Sequence, residues 1–450
     1  MKEVIVIGGG LAGTEAALQV AKRGIKVKLY EMKPVKFSDA HTNEDLAEVV
    51  CSNSFKSNLL TNACGLLKEE LRILGSELIP VADSTSVPAG QALAVDRGVF
   101  SRKVTELVEK NENIEVIREE VTEIPQDSIV IIATGPLTSE VLSERIKELT
   151  GSDKLFFYDA AAPIIDKDSI NMDIAFYGDR YSQERGKEEP EEEWRERIKS
   201  EEGSYINLPI NKEEYEKFWE ELVNAEVVEL HEFEKREIFE GCMPLEIMAK
   251  RGMDTLRFGP LKPVGFTDLR TARRPYAVVQ LRQDNSEGNL YNIVGFQTNL
   301  KFGEQKRVFS LIPGLENANF VKYGVMHRNT YINSTMVLDN TYNMKEDENI
   351  FFAGQITGVE GYVESIASGF IAGINAANKI LGKDKFVMPK ETVNGALADY
   401  ISTENDKFQP MNANFGILPK LDKNIRDKKV KYQKMADRSL EIIKIIKENV

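Results

Sequence analysis

The sequence of 450 residues contains only three cysteines, Cys51, Cys64 and Cys242. They are too few and too widely separated for a disulfide scaffold or a zinc site, so we expect no metal centre and interpret any cysteine that matters as a reactive thiol. Long apolar runs are also missing, since none approaches the roughly 20 residues that span a bilayer. The amino terminus has no signal-peptide pattern. The sequence therefore predicts a cytoplasmic protein without membrane contact.

Positive charge is the scarcer sign in this chain. Lysine and arginine total 58 against 72 aspartates and glutamates, which gives a net charge of −14. This balance argues against strong, non-specific affinity for nucleic acid, although a local basic surface is compatible with it. The length accommodates two domains, or one domain with a large insertion.

The first segment of the chain predicts a strand, a glycine turn and a helix. Residues 1–7 (MKEVIVI) are typical of a buried strand, and residues 14–23 are typical of a helix. In such a turn the glycines allow a tight bend, close approach of a pyrophosphate and close helix packing, and an acid at the end of the next strand accepts ribose hydroxyls. An ordinary glycine-rich loop is the alternative, but this context favours dinucleotide binding. The predicted binding residues are Gly8, Gly9, Gly10, Leu11, Ala12, Gly13 and Glu31.

Two later segments extend this prediction. Residues 129–133 form an apolar strand that closes on Ala-Thr-Gly, a pattern that recurs in flavoproteins with a Rossmann-like FAD domain. Residues 350–380 repeat the strand, glycine turn and helix, and the amino terminus of that helix can donate to a flavin ring or to a pyrophosphate. The resemblance of the first glycine turn with this Ala-Thr-Gly strand to flavoproteins favours FAD over NAD as the tightly held cofactor. The predicted contacts are Ala133, Thr134, Gly135, Gly354, Gln355, Thr357, Gly358, Gly361 and Tyr362.

The two nucleotide-binding patterns flank a region of different character. After a glutamate-rich stretch at residues 184–203, the pattern no longer suggests strand-helix-strand units. We therefore predict an α/β protein in which a discontinuous, Rossmann-like FAD-binding domain (residues 1–165 and 324–421) carries a smaller α+β insertion domain (residues 166–323). Residues 422–450 are predicted to form a charged, amphipathic C-terminal helix that packs on the protein or binds a partner.

The three cysteines have different surroundings. Cys51 lies beside Ser52, Asn53 and Ser54, which can supply hydrogen bonds to a thiolate or to a bound ring, but a packing role is equally compatible with the pattern. Cys64 lies among aliphatic residues of a predicted helix and is assigned to the core. Cys242 follows a glycine and precedes a proline by two positions, which predicts a tight turn and an exposed thiol.

A basic segment lies within the predicted insertion. Residues 250–282 contain eight basic and two acidic residues, a local charge of +6 in an acidic protein. Phe258, Phe266 and Tyr276 are interspersed and could stack on exposed bases. For any single arginine a structural ion pair is the simpler explanation. The candidate RNA-binding residues are Lys250, Arg251, Arg257, Lys262, Arg270, Arg273, Arg274 and Arg282.

Ten separated blocks of the sequence, in one order, resemble the folate- and flavin-dependent tRNA uracil-C5 methyltransferases. Among them are LAEVVCSNSFKSN (46–58), FEGCMPLE (239–246) and FAGQITGVEGYVES (352–365). The resemblance runs from the first glycines to about residue 421, and the charged tail lies beyond it. The remaining blocks are residues 87–97, 133–139, 158–163, 254–265, 274–282, 323–329 and 408–419.

This resemblance implies a specific chemistry. It implies FAD as cofactor, NADH or NADPH as electron source, and 5,10-methylenetetrahydrofolate as carbon donor for uridine 54 in the tRNA T-loop; some relatives methylate ribosomal RNA instead. Cys51 and Cys242 occupy the two cysteine motifs of the family and are expected together at the flavin face. Our hypothesis gives Cys242 the attack on uracil carbon 6. Cys51 would act beside the flavin, as base or as transient partner of a flavin-bound methylene.

Two other functions compete with this interpretation. A general flavin oxidoreductase acting on a small molecule would use the residues from Gly8 to Glu31 but would need neither Cys242 nor the basic segment. A non-methylating, tRNA-binding flavoprotein, a subunit in wobble-uridine modification, would bind tRNA without transferring carbon from folate.

Overall fold

The computed structural model describes residues 3–38, 40–151, 155–182, 188–199, 203–228, 243–406, 408–422 and 425–448. Within these ranges the strands are β1 Glu3–Ile7, β2 Lys26–Tyr30, β3 Ser54–Ser57, β4 Ser86–Val87, β5 Ala92–Val95, β6 Ile114–Ile117, β7 Ile129–Ile132, β8 Leu155–Ala160, β9 Ile164–Asp166, β10 Phe176–Tyr177, β11 Tyr205–Ile210, β12 Ala277–Gln283, β13 Leu290–Ile293, β14 Phe320–Lys322, β15 Met326–Tyr331 and β16 Ile350–Phe352.

The α-helices in the same ranges are α1 Leu11–Lys22, α2 Ala63–Leu74, α3 Leu78–Ser84, α4 Arg97–Glu109, α5 Glu140–Thr150, α6 Glu191–Lys199, α7 Lys212–Asn224, α8 Leu245–Lys250, α9 Thr255–Phe258, α10 Phe302–Phe309, α11 Ser334–Val337, α12 Tyr362–Leu381, α13 Val393–Ser402 and α14 Lys428–Lys447. No helix in the described part of the chain is long and apolar enough to cross a membrane.

A five-stranded parallel sheet, ordered β16-β7-β1-β2-β6, forms the centre of the nucleotide-binding unit. Strand β1 lies in the middle because its residues from Val4 to Ile7 are apolar and buried, as a strand covered on both faces requires. Helices α1 and α12 pack unusually closely, since a Cβ placed on Gly369 would lie 2.1 Å from the Ala12 carbonyl oxygen. The predicted α/β class with a Rossmann-like parallel sheet is confirmed.

A six-stranded sheet, ordered β10-β11-β12-β13-β9-β14, forms a second unit. One face carries Val279, Leu281 and Ile293 and packs in an apolar core together with residues of helices α7 and α10. Side chains alternate along a strand, so Gln280 and Arg282 lie on the opposite face. Strand β9 joins this sheet and spans the domain boundary predicted at residue 165.

The start of one helix differs from the sequence-based expectation, and the cause is local. Helix α1 begins at Leu11 rather than at residue 14, because Gly10 is its N-cap and the helix starts directly from the glycine turn. The C-terminal helix α14 contacts helix α2, and its residues Met435, Ala436 and Ile443 are buried in the main core. It is thus a packed helix.

Candidate active site

The glycine turn after β1 has the geometry of a dinucleotide-binding loop. Gly8 adopts a φ of +108°, and a Cβ there would lie 2.4 Å from the Ala133 carbonyl oxygen. A Cβ on Gly13 would lie 1.8 Å from the Gly8 carbonyl oxygen, so α1 packs directly on the turn. By contrast, a Cβ on Gly10 would meet nothing within 4 Å. No side chain caps α1, so its first amides point into open space that suits a phosphate.

Glu31 closes this loop from the end of β2. Its carboxylate accepts a hydrogen bond from the Gly9 amide through Oε2 and one from the Lys33 amide through Oε1, both at 3.0 Å. The side chain is therefore fixed beside the turn, where a carboxylate can accept ribose hydroxyls. These residues fit the adenine-nucleotide half of an FAD.

A single cleft joins the two glycine turns and encloses about 1090 Å³ of empty space, including its opening to solvent. It runs from the first glycine turn and Glu31, past the end of β7, to the start of α12. Twelve of the predicted cofactor residues line it: Gly8, Gly9, Gly10, Leu11, Ala12, Glu31, Ala133, Thr134, Gly135, Gly354, Gln355 and Tyr362.

Four predicted cofactor residues lie behind the cleft and shape it. Gly13 supports the first turn as described above. Thr357 is fully buried and donates its hydroxyl to the Gly354 carbonyl, while a Cβ on Gly358 would lie 2.4 Å from the Phe408 ring. A Cβ on Gly361 would lie 2.3 Å from the carboxylate of Glu364. The second glycine turn is therefore built by close packing.

Four further residues that were not predicted from the sequence also line the cleft: Lys33, His41, Glu48 and Ser365. Lys33 and Glu48 form an ion pair at 3.4 Å with both side chains almost fully buried. Lys33 and His41 gave a weak signal in the sequence, because residues 33–43 show only a polar, irregular pattern. Glu48 and Ser365 lie within the family blocks 46–58 and 352–365, and this was the available clue to them.

Cys51 lies at the edge of this cleft. The Tyr362 hydroxyl accepts hydrogen bonds from the amides of Cys51 (3.0 Å) and Ser52 (3.2 Å). Arg97 donates to the carbonyls of Val49 and Val50, immediately before the cysteine. Since Tyr362 and Val50 both line the cleft, the half-buried Cys51 side chain is placed next to the cofactor pocket.

The other two cysteines are placed differently. Cys64 is 2% exposed, and burial raises the pKa of its thiol to about 11, so it belongs to the core as predicted. Cys242 lies outside the described residues. On either side of its segment, the Val228 amide donates to the Asn299 carbonyl and the Leu245 amide donates to the Gln297 carbonyl. The described residues Val228 and Leu245 are thus both hydrogen-bonded to one stretch of the insertion, residues 297–299.

Only some residues of the predicted basic segment, residues 250–282, are exposed. Arg257 is half-buried, with its guanidinium 3.6 Å from the centre of the Tyr276 ring. Arg282 is only 7% exposed, so including it among surface RNA-binding residues was wrong. Phe266 is 4% exposed and cannot stack on a base, whereas Phe258 is 84% exposed. The exposed cations are Lys250, Arg251, Lys262, Arg270, Arg273 and Arg274.

Arg282 instead belongs to a network that links the two sheets. Its guanidinium donates to Asn53 Oδ1 (2.9 Å) and to Ser52 Oγ (3.0 Å), and the Asn53 amide donates back to the Gln283 carbonyl. Nearby, Arg97 and Asp284 form an ion pair at 3.0 Å. The insertion is therefore bonded directly to the Cys51 segment. Among the described residues, no group of His, Cys, Asp or Glu is arranged to hold a metal ion.

A parallel sheet with two glycine turns around one cleft defines a Rossmann-type dinucleotide-binding protein. Comparison with known proteins refines this class. Residues 3–384 match the family profile described as "Glucose inhibited division protein A". A protein of Acetivibrio thermocellus named methylenetetrahydrofolate–tRNA-(uracil-5-)-methyltransferase TrmFO is 61% identical over 440 residues, 98% of this chain and 97% of that protein. The protein of the same name from Bacillus subtilis is 56% identical over 448 residues, 99% of each chain.

The chain therefore belongs to the family of these methylenetetrahydrofolate–tRNA-(uracil-5-)-methyltransferases, within the larger GidA group, and the resemblance drawn from its motifs is confirmed. A solved structure of Aquifex aeolicus GidA superposes with a TM-score of 0.67 at 18% identity, covering 98% of this chain and 73% of that one. At that identity the likeness establishes the fold alone.

Proposed function

We propose that this protein is a flavoenzyme that transfers the methylene carbon of 5,10-methylenetetrahydrofolate to carbon 5 of a tRNA uridine and reduces it to a methyl group. Full-length relatives at 56–61% identity carry the name of this activity. The structural observation that carries the proposal is the Tyr362–Cys51 contact, because it sets a thiol at the edge of the dinucleotide cleft.

The residues of the cleft have separable tasks. The amide groups at the start of α1 and the open space at Gly10 would receive the pyrophosphate of FAD, and Glu31 would receive its ribose. Tyr362 and the turn at Gly354 and Gln355, which line the other part of the cleft, would hold the flavin. When bound, the reduced flavin supplies the hydride that converts the transferred carbon to a methyl group.

The thiols supply the nucleophile that uracil needs. A thiolate that adds to carbon 6 pushes electron density to carbon 5, which attacks the folate methylene as one carbon–nitrogen bond of the carrier opens. A base then removes the carbon 5 proton and tetrahydrofolate leaves, which gives an exocyclic methylene on the uracil. Hydride addition to that methylene expels the thiolate from carbon 6 and completes the methyl group. An ordinary thiol is only a few per cent ionised near neutral pH, so the protein must stabilise the thiolate. We assign the carbon 6 attack to Cys242 and a flavin-adjacent role to Cys51, whose position at the cleft supports that part of the assignment.

Three finer points belong to the same proposal. NADH or NADPH regenerates the reduced flavin. The target is uridine 54 of the tRNA T-loop, with a ribosomal RNA uridine as the alternative substrate for the same chemistry. The enzyme works in the cytoplasm, where its RNA and folate substrates are found.

The RNA contacts are proposed to come from the exposed part of the basic segment. Lys250, Arg251, Lys262, Arg270, Arg273 and Arg274 are exposed there, and Phe258 presents an accessible ring among them. Cations that neutralise phosphates combined with an aromatic ring that stacks on a base are the usual elements of single-stranded RNA recognition.

The decisive experiment is incubation of the purified yellow protein with labelled methylenetetrahydrofolate, NAD(P)H and unmodified tRNA or ribosomal RNA. Label in 5-methyluridine of the tRNA supports the proposal, and label only in ribosomal RNA selects the alternative target. Nicotinamide oxidation that is indifferent to folate and RNA indicates a general oxidoreductase. Tight tRNA binding without carbon transfer indicates a non-methylating subunit. A Cys242→Ala variant that still forms a covalent complex with 5-fluorouridine RNA contradicts the assignment of the nucleophile.

A further inference from the structure

One row of residues crosses five strands of the six-stranded sheet. Tyr205 pairs with Arg282, Arg282 with Asn292, Asn292 with Ile164, and Ile164 with Lys322. Directly paired residues lie on the same face of a sheet. Their chain neighbours Leu281, Ile293 and Ile165 lie in the apolar core, so this row is on the opposite face. Through Arg282, that face contacts the segment containing Cys51.

Arg282 is a buried cation without a carboxylate partner. Its guanidinium donates to the Ser52 hydroxyl and the Asn53 side-chain oxygen, and both acceptors are neutral. Within the described part of the chain it forms no ion pair, because the nearby Asp284 is engaged by Arg97 at 3.0 Å. A buried charge is normally paired with an opposite charge. This environment therefore suits an anion beside Ser52.

The charged groups that act on Lys322, at the end of the row, show the same excess of positive charge. Glu48 is paired with Lys33, and Asp284 with Arg97. Burial and the nearby Arg97 lower the pKa of the Lys322 ammonium. The negative charges of Glu48, Asp284 and an ionised Cys51 act in the opposite direction and favour its charged form. Because Lys33 and Arg97 neutralise these two acids, Arg282 and Lys322 are left as cations without a carboxylate partner in the described part of the chain. The adjacent Asn292 amide nitrogen is buried without a hydrogen-bond partner.

We propose that Arg282 is a positioning residue for Cys51: it anchors Ser52 and Asn53 to the insertion sheet and supplies counter-charge for the Cys51 thiolate. The part played by this thiol in turnover rests on the proposed function, but its placement and ionisation do not. The insertion domain thereby controls a thiol that belongs to the nucleotide-binding unit, across 230 positions from Ser52 to Arg282.

The test measures alkylation of Cys51 by iodoacetamide as a function of pH, in the FAD-containing protein with Cys242→Ser, by peptide mapping. Cys64, whose thiol pKa is about 11, serves as an unreactive internal reference. Arg282→Gln should move the midpoint of Cys51 alkylation to higher pH by about half a unit or more, because it removes a buried cation. Arg282→Lys should restore most of that shift, since it retains the charge.

Two further variants separate position from charge. Ser52→Ala removes one acceptor of Arg282 and leaves the charge. It should hardly change the midpoint in the Cys242→Ser protein, and with Cys242 intact it should lower kcat for methyl transfer several-fold. Arg307→Gln, an exposed arginine of the same unit that is paired with Glu304, should leave both unchanged.

A wild-type midpoint in an Arg282→Gln protein that retains its flavin would overturn the proposal. If Arg282→Gln loses flavin, the Arg282→Lys and Ser52→Ala variants replace it in the test. A wild-type kcat in both of these variants would also overturn the proposal. The alkylation requires neither folate nor RNA. Failure of the wild-type protein to methylate RNA would therefore refute the proposed function and leave this result standing.

Discussion

The hydroxyl oxygen of Tyr362 lies 3.0 Å from the amide nitrogen of Cys51 and accepts its hydrogen bond, although the two residues are 311 positions apart. The same oxygen accepts the Ser52 amide at 3.2 Å. Tyr362 is the first residue of α12 and lines the cleft. One side chain therefore joins the second glycine turn to the thiol segment.

Replacement of Tyr362 by Phe tests this link. The ring and its packing against Phe55 remain, but two amides lose their acceptor, and an unsatisfied buried donor costs about 1–3 kcal/mol. We expect unchanged flavin content, a lower melting temperature and a drop in kcat of about tenfold for methyl transfer, since 1.4 kcal/mol corresponds to that factor.

Tyr215→Phe is the matched control for this substitution. It removes a tyrosine hydroxyl that donates to the Met253 carbonyl within the core of the insertion. It should lower the melting temperature without lowering kcat. Equal losses of kcat in the two variants would show that Tyr362 acts through stability alone.

Two glycines of the first turn should respond differently to alanine. Gly13→Ala would place a Cβ 1.8 Å from the Gly8 carbonyl oxygen, so we expect little folded protein. Gly10→Ala meets nothing within 4 Å and has ordinary backbone geometry, so the protein should fold. Its Cβ would occupy the space intended for the pyrophosphate, and the purified protein should be colourless.

Expression, circular dichroism and flavin absorbance distinguish these outcomes. A yellow, fully active Gly10→Ala protein would show that the pyrophosphate does not lie against this residue. A stable Gly13→Ala protein would contradict the packing of α1 against the turn.

Glu31 should matter for both flavin binding and stability. In Glu31→Ala the buried amides of Gly9 and Lys33 lose their acceptor, which costs about 1–3 kcal/mol each. Flavin affinity should fall at least tenfold, measured by titration of the apoprotein with FAD. Glu3→Ala is the control, because the Glu3–Lys28 pair on the same sheet is partly exposed and such pairs contribute about 0–1 kcal/mol.

The local parts of the site could be predicted from the sequence, whereas contacts made by folding could not. The glycine turn and Glu31 were identified because strand, turn and acid lie close together in the chain. Arg282 was assigned to a surface because its neighbours in the sequence are basic, and its partners Ser52 and Asn53 are 230 and 229 positions away. Alternation along the strand gave no warning, because it places Arg282 on the face opposite the core residue Leu281 and does not show that the Cys51 segment covers that face.

The same reasoning explains why the second sheet was only partly predicted. An α+β insertion was expected, but β9 and β14 are three residues each and join the sheet from distant parts of the chain. Such short strands carry little periodic signal. Their pairing completes the row that ends at Lys322.

Charge reversal tests the proposed RNA surface. Arg273 and Arg274 are exposed, and Arg273→Glu with Arg274→Glu should weaken tRNA binding at least tenfold at low salt. If each arginine contacts a phosphate, the slope of log affinity against log salt should become shallower by roughly 1 per contact. Flavin content should not change.

The control is Arg102→Glu with Lys103→Glu, two exposed cations on helix α4, which changes the net charge by the same amount. Equal weakening in both double variants would mean that overall charge, rather than this surface, governs the affinity.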